Sequence, residues 1–331
     1  MASSLPFDET VNMLKAVAEP TRLRLALLLL QGDLTVSDLV KILGQSQPRI
    51  SRHLKLMVDA GVVARYQEGA WAYFRLSGDD SAELVRRMLP LVGAADGPPA
   101  HDRDRLAVVR AQRAERAAAY FADNAAEWDR IRALHVPDAQ MEAALLDVLG
   151  DDPIDRFLDI GTGTGRMLEL IGPRARQAVG VDASREMLAI ARAKLDGASL
   201  SHVSVRQGDA YNLPVEPLSH DLIVLHHVLH FLDEPATALQ EAARALRPGG
   251  RLVVVDFDAH DCEFLREDHA HARLGFSQTM LAGYFEAAGL EATDVRALHP
   301  GERGQLTVLI STARKPARSN LVEAAPPARY A

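Results

Sequence analysis

The sequence of 331 residues holds a single cysteine, Cys262. One thiol forms no internal disulfide and cannot supply the pairs or triads that thiolate zinc sites, iron–sulfur clusters or thiolate arsenic chemistry require. Long apolar runs are missing as well. None approaches the ~18 residues of a membrane span, and Met1 to Phe7 has neither the basic nor the apolar region of a secretion signal. These absences predict a cytoplasmic protein with no membrane partner and no thiolate-bound metal. Net positive charge is also lacking: 45 acidic residues against 37 basic ones give −8, which argues against a wholesale nucleic-acid binder. What is present is ordinary for a globular chain, 48% hydrophobic and 25% charged, and the length predicts about two domains.

The charge is unevenly spread. Between positions 41 and 76, Lys41, Arg49, Arg52, Lys55, Arg65 and Arg75 face only Asp59 and Glu68. A basic island on an acidic chain predicts one DNA-facing element joined to something that does not face DNA. The small, Pro/Gly-rich stretch Gly93 to Ala100 marks the boundary, so a first domain over 1–92 and a linker over 93–102 are expected. After it comes an Arg/Ala-rich helical segment, Arg103 to Leu134, and then strands alternating with helices, the pattern of an α/β parallel sheet. The second domain is expected over 103–315, and the tail 316–331 reads as disordered. No internal repeat is visible.

In the first domain, Glu19-Pro20-Thr21 opens one apolar-periodic run, and a second spans Val36 to Leu43 with Thr35 as N-cap and Gly44 as stop. Ser46 then caps a helix whose apolar members Ile50, Leu54, Met57 and Val58 fall at the spacing of a buried stripe. Its other face carries Gln45, Ser46, Gln47, Arg49, Ser51, Arg52 and Lys55, residue types that reach base edges and phosphates from a recognition helix. Two β-rich runs, Val62 to Tyr66 and Trp71 to Leu76, form a hairpin through Gln67-Glu68-Gly69-Ala70, with Arg65 on this wing. His53 reads as a packing or DNA-contacting imidazole, and Trp71 and Tyr73 as wing core.

This order of elements, with Glu19-Pro20-Thr21-Arg22-Leu23-Arg24 and Gln47-Pro48-Arg49-Ile50-Ser51-Arg52-His53-Leu54, resembles the ArsR family of winged-helix repressors over residues 10 to 92. The resemblance implies an α+β winged helix that binds a two-fold operator in double-stranded DNA as a homodimer, with residues 10–17 and 80–92 as the interface. Where metal-sensing members carry paired cysteines, this chain has Thr35 and Ser37, which cannot bind soft metals with thiolate affinity. The metal input is expected to be lost.

In the second domain, Phe157 to Ile160 reads as a buried strand that enters Gly161-Thr162-Gly163-Thr164-Gly165 and then a helix. Such glycines let a ligand approach the backbone and offer it amide donors at a helix start. The spacing is G-x-G-x-G, not the G-x-G-x-x-G of dinucleotide folds, and no Lys-Ser/Thr pair makes it a Walker loop. Further strands end at Asp182, at Gly208-Asp209-Ala210 and at His226-His227-Val228-Leu229-His230, and Pro248-Gly249-Gly250 turns into a strand ending at Asp256.

As a set these signals resemble the class I S-adenosylmethionine-dependent methyltransferases over residues 115 to 315. The resemblance implies a doubly wound, mostly parallel, seven-stranded Rossmann-like sheet. It implies that Asp159, Gly161, Thr162, Gly163 and Gly165 hold the methionine portion of the cofactor, that Asp182 binds the ribose, that Ala183 and Met187 flank the adenine, and that Asp209 and Ala210 bond its edge. His226, at the fourth strand's tip, faces the reacting centre and is the candidate catalytic residue. Tyr120, Phe121, Trp128 and Arg130 resemble a lid helix over the cofactor, although packing alone accounts for those aromatics equally well. His269 and His271 with Asp258 and Glu263 read as surface or substrate-cap groups, and no metal is expected.

Two functions follow. In the first, the chain is a regulator whose second domain binds S-adenosylmethionine or S-adenosylhomocysteine as effector, as the combination resembles adenosylhomocysteine-responsive ArsR-type regulators. In the alternative, the domain methylates a small molecule and the winged helix regulates its own operon. A basic recognition face on a chain that lacks the thiolates favours the first.

Overall fold

The computed structural model describes residues 6–68, 71–77, 80–93, 96–128, 138–198, 200, 202–299 and 306–317. It divides into two compact units, one comprising residues 1–120 with 259–274 and the other 121–258 with 275–331. Among the described residues, no helix is long and apolar enough to cross a membrane.

The first unit begins with α1 (Phe7–Val17) and α2 (Pro20–Leu29), the latter capped by the Glu19 carboxylate, which accepts from the Arg22 amide. The short β1 (Leu34–Thr35) leads into α3 (Val36–Leu43). Here Thr35 and Asp38 cap each other reciprocally, and Gly44 ends the helix in the left-handed region at φ 65°. Helix α4 (Gln47–Asp59) buries Ile50, Leu54 and Met57 completely, worth about 1.5–3 kcal/mol each. Val58, expected in that stripe, is only half-buried. Ser46 occupies the N-cap position of α4 in extended conformation, but its side chain makes no capping bond, so Pro48 and the helix-start geometry do that work without it.

The hairpin strands β2 (Val63–Glu68) and β3 (Trp71–Leu76) pair antiparallel, and β1 adds to the outer side of β3. The strand β2 runs two residues beyond the sequence expectation, and the turn at Gly69 and Ala70 lies outside the described residues. Helix α5 (Asp80–Met88) packs on α1.

The stretch read as a linker is not one throughout. From Gly97 it is already the first turn of α6 (Gly97–Asn124), and arginines along that helix fasten it to the winged helix. Arg24 forks onto Asp102 at 2.6 and 2.7 Å, while Arg105 donates to the Ile42 carbonyl and Arg113 to Asp38. Leu106 joins the core of the unit. Composition flagged Pro98 and Pro99 as breakers, but at a helix start proline is tolerated.

The second unit holds α7 (Asp138–Leu149) and a seven-stranded sheet. Its elements are β4 (Ile154–Ile160), α8 (Arg166–Ile171), β5 (Ala175–Asp182), α9 (Arg185–Gly197), β6 (Val203–Gln207), β7 (His220–His226), α10 (Pro235–Ala245) and β8 (Leu246–Phe257). A short α11 (Phe264–Asp268) follows in the first unit, and α12 (Gln278–Ala287), β9 (Glu291–Leu298) and β10 (Val308–Arg314) complete the second. The strand order is β6-β5-β4-β7-β8-β10-β9, parallel except for β10, which is antiparallel to both neighbours. This is the doubly wound architecture expected from the sequence. Pro248-Gly249-Gly250, read as a turn, lies within β8 as a bulge: His220 pairs with Leu246 and Leu222 with Arg251, and Gly249 takes φ 77°.

Candidate functional sites

On α4 the side opposite Ile50, Leu54 and Met57 is open. Ser46, Gln47, Arg49, Ser51, Arg52 and Lys55 are all exposed there, as is Arg65 on β2. Gln45 departs from this set: it is half-buried and donates to the Thr21 hydroxyl at 3.4 Å, which ties it to α2. His53 lies 3.6 Å from the Glu19 carboxylate. Burial lowers its pKa, as do Arg22, Arg49 and Arg52, against an opposing pull from Glu19.

Thr35 has both hydrogen-bonding functions engaged. It accepts from the Asp38 amide at 3.2 Å and donates to the Asp38 carboxylate at 2.6 Å. That residue serves the start of α3.

In the second unit the order reverses direction between β4 and β7, and a doubly wound sheet opens a ligand crevice at such a point, outside the carboxyl ends of the strands. The loop after β4 is the glycine run. Gly161, Gly163 and Gly165 all take positive φ, at 69°, 52° and 88°. A Cβ on Gly161 would lie 2.4 Å from Val228 in the loop after β7, so the two loops meet across the crevice only because that Cβ is absent. Gly165 caps α8 and leaves room for Ala191 of α9.

Asp159, buried at the end of β4, accepts from the Thr162 hydroxyl at 2.6 Å and fixes the loop's first turn. Asp182, half-buried at the end of β5, accepts from the Gly163 amide through one carboxylate oxygen and from the Ser184 amide through the other, both at 2.8 Å. Crowding by the protein raises its pKa, although these amides and that of Ala183 pull the other way. Asp182 is not the cap of α9. That position belongs to Ser184, which accepts from the Met187 amide. Met187 is buried, while Ala183 is exposed and Ala210 half-buried. Asp209 is exposed and accepts from the Tyr211 amide at 2.9 Å, closing a local turn at the end of β6.

At the ends of β7 and β8 the structure assembles a group that sequence reasoning saw only as scattered histidines. His226 is buried, its ring 4.6 Å from that of His227. His227 adopts φ 54°, rare for a residue with a Cβ, and is held there by its amide bond to the Val255 carbonyl. His230 and Asp256, both almost wholly buried, lie 2.7 Å apart through Nδ1 and a carboxylate oxygen. Asp256 also accepts from the His230 and Phe257 amides. Burial alone would raise its pKa, but the two histidines and the Phe257 amide outweigh burial and lower it. Among the described residues, His227, His230 and Asp256 are the cluster with metal-ligand spacing, not the His269 and His271 pair. His269 bonds Tyr120 at 2.8 Å and belongs to the first unit. Phe121, Trp128 and Phe231 pack ring to ring near these histidines, and Arg130 lies outside the described residues.

Comparison with known proteins settles both halves. The model of the bacterial regulatory protein arsR family matches residues 19–65, and that of a methyltransferase domain matches residues 158–254. The chain fuses an arsR-family regulatory domain to a methyltransferase domain. The fusion is 44% identical over 68 residues to the arsenical resistance operon repressor of Escherichia coli, covering 20% of this chain and 58% of that protein. It is 33% identical over 112 residues to the uncharacterized methyltransferase YcgJ of Bacillus subtilis, covering 34% and 44%. In fold the second unit is similar to the N-methyltransferase NodS of Bradyrhizobium japonicum, solved in complex with S-adenosylhomocysteine. The TM-score is 0.51 at 20% identity, over 60% of this chain and 98% of that one. The fusion spans no more than about half the length of the first curated relatives it matches, 34%, 44% and 51%.

Proposed function

We propose that the fusion is a homodimeric transcriptional regulator that binds operator DNA through α4 and the wing, with S-adenosylmethionine or S-adenosylhomocysteine as its effector. The observation that carries this reading is the exposed polar and basic face of α4, a recognition surface on a chain with Thr35 and Ser37 in place of thiolates, the first of them engaged in capping α3. Without a thiolate metal input, the second unit is the remaining source of a signal.

The crevice residues fit the cofactor. The left-handed glycines present backbone without side chains, and an acidic residue stands at the carboxyl end of each of β4 and β5 and two residues beyond β6. Asp159, Thr162 and the glycines would hold the methionine portion, Asp182 the ribose hydroxyls, and Ala183, Met187, Asp209 and Ala210 the adenine. The Asp182 carboxylate can accept from hydroxyls while keeping both amide donors, because each oxygen carries two lone pairs. Dimerisation through α1 and α5 is supported by their mutual packing and by apolar side chains left in water, Phe7 at 81% and Leu91 at 84% exposure.

The experiment is fluorescence anisotropy of the full chain on its own upstream DNA at fixed salt, titrated separately with each ligand. A ligand-specific shift in DNA affinity supports the reading, and by linkage the same factor must appear in ligand affinity measured on the DNA complex. Tight DNA binding indifferent to both ligands overturns it.

One observation favours the alternative, methyl transfer to a small molecule. The carboxylate of Asp256 fixes the His230 proton on Nδ1, which makes Nε2 the basic nitrogen, the arrangement a general base needs to take a proton from an acceptor hydroxyl or amine. Release of S-adenosylhomocysteine from S-adenosylmethionine in the presence of phenolic or amine acceptors, lost in Asp256→Asn, would establish it.

A further inference from the structure

The segment between β8 and α12 leaves the methyltransferase sheet and folds as part of the DNA-binding unit. It does so through buried cations. Arg273, only 3% exposed, donates to the Tyr66 hydroxyl at 2.8 Å, and that hydroxyl donates to Asp33 at 2.6 Å. The same guanidinium lies 3.5 Å from Asp33 and 4.7 Å from the centre of the Tyr73 ring. Arg266 stacks on Trp71 at 5.1 Å and on Tyr73 at 5.9 Å, and the Tyr73 hydroxyl donates to the Ala272 carbonyl. Tyr66 and Tyr73 are stacked on each other. The three aromatic residues, Tyr66, Trp71 and Tyr73, belong to β2 and β3, the wing hairpin. On its far side the segment is held by Arg116 of α6, which donates to the carbonyls of Arg266 and Glu267.

Backbone hydrogen bonds close both ends of the segment at its neck. Asp258 donates its amide to the Thr307 carbonyl just before β10, Phe276 to that of Phe257, and His260 to that of Leu274. Gly275 takes φ 77°, and a Cβ there would lie 2.2 Å from the Asp258 carbonyl oxygen, so the two strands of the neck touch backbone to backbone. Directly before the neck stand Asp256, bonded to His230, and Val255, bonded to the His227 amide. The end of β8 thus leads within two residues into the segment 259–274.

We propose that residues 259–274 are the coupling element of the regulator: occupancy of the crevice alters the ends of β7 and β8, and the segment delivers that change to the wing through Arg273 and Arg266. This rests on the effector reading above. A purely architectural role predicts that loosening the segment changes stability or DNA affinity but leaves the ratio of DNA affinities with and without ligand unchanged. Coupling predicts that the ratio itself collapses.

The test uses the full chain, its own upstream DNA and S-adenosylhomocysteine. In Arg273→Gln, a wild-type shift of about tenfold should fall below about twofold, while calorimetric affinity for S-adenosylhomocysteine without DNA stays within about threefold of wild type. Tyr66→Phe, which removes only the bridging hydroxyl, should give an intermediate ratio and decides the matter if Arg273→Gln does not fold. Hydrogen exchange on the wild type supplies a second readout, with ligand-dependent protection in residues 259–274 and in 63–76 together. A variant with the full wild-type ratio, or exchange in 63–76 that ignores the ligand, overturns the coupling element alone. A wild type indifferent to the ligand removes the effector reading and this inference with it.

Discussion

At Asp182 one carboxylate stands at the junction of two loops, and both of its oxygens already hold backbone amides, those of Gly163 and Ser184. Its removal has a double cost. Asp182→Ala should abolish detectable S-adenosylhomocysteine binding by calorimetry and destabilise the second unit by about 1–3 kcal/mol, since two amides lose their acceptor. Arg52→Glu should do the opposite, eliminating operator binding while leaving ligand affinity unchanged, because Arg52 is exposed on α4 and supports nothing in the core. His220 predicts a pH dependence. Burial, with Arg156 and Arg206 nearby, lowers its pKa to about 4 against a small opposing effect of Asp221. A histidine buried neutral must charge in acid. Its contribution is complete above the unfolded value of about 6.5 and is lost as the pH falls from there towards 4, which removes about 2 kcal/mol by pH 5. Urea unfolding at pH 7 and pH 5 should show this loss in the wild type and not in His220→Gln.

Among elements, the helix starts and loop glycines carry the local specification. Thr35→Ala breaks the capping box of α3 and should cost about 1 kcal/mol in urea unfolding, with no change in any metal response. These signals were legible without coordinates: Thr35, Gly44, the stripe of α4 and the five strand ends all follow from spacing and side-chain chemistry. What was illegible has a common cause. Ser46 has the right residue type for a cap but makes no capping bond, because propensity states a preference and not a contact. Pro248-Gly249-Gly250 reads locally as a turn, yet pairing with β7 on one side and β10 on the other keeps the chain within one strand. The His230–Asp256 pair joins residues 26 apart that meet only because β7 and β8 are neighbours.

For the whole molecule, the sequence shows both a winged helix and an α/β sheet, but composition cannot show that sixteen residues inserted late in the sheet group with the wing. The buried arginines there, Arg266 and Arg273, look like ordinary loop charges until the aromatic faces of Trp71 and Tyr73 are placed against them. A fragment ending at Tyr120 should therefore be a poor stand-in for the DNA-binding domain. It would leave Tyr73 and Trp71 without the cations of Arg266 and Arg273 and the Tyr66 hydroxyl without its donor, and light scattering should report association that the full chain does not show.

The wing's late partner also sets a schedule for synthesis. A chain emerging from the ribosome completes α4 and the hairpin early, but Arg266 and Arg273 appear only after β8 has been made. Because domains otherwise fold as units in the order they are translated, the wing of a nascent chain waits on most of the sheet for its partners. Grafting a different sensor onto this winged helix meets the same condition: cutting at the Pro/Gly stretch is not enough, and the transplanted sheet must bring its own wing-covering excursion or keep this one.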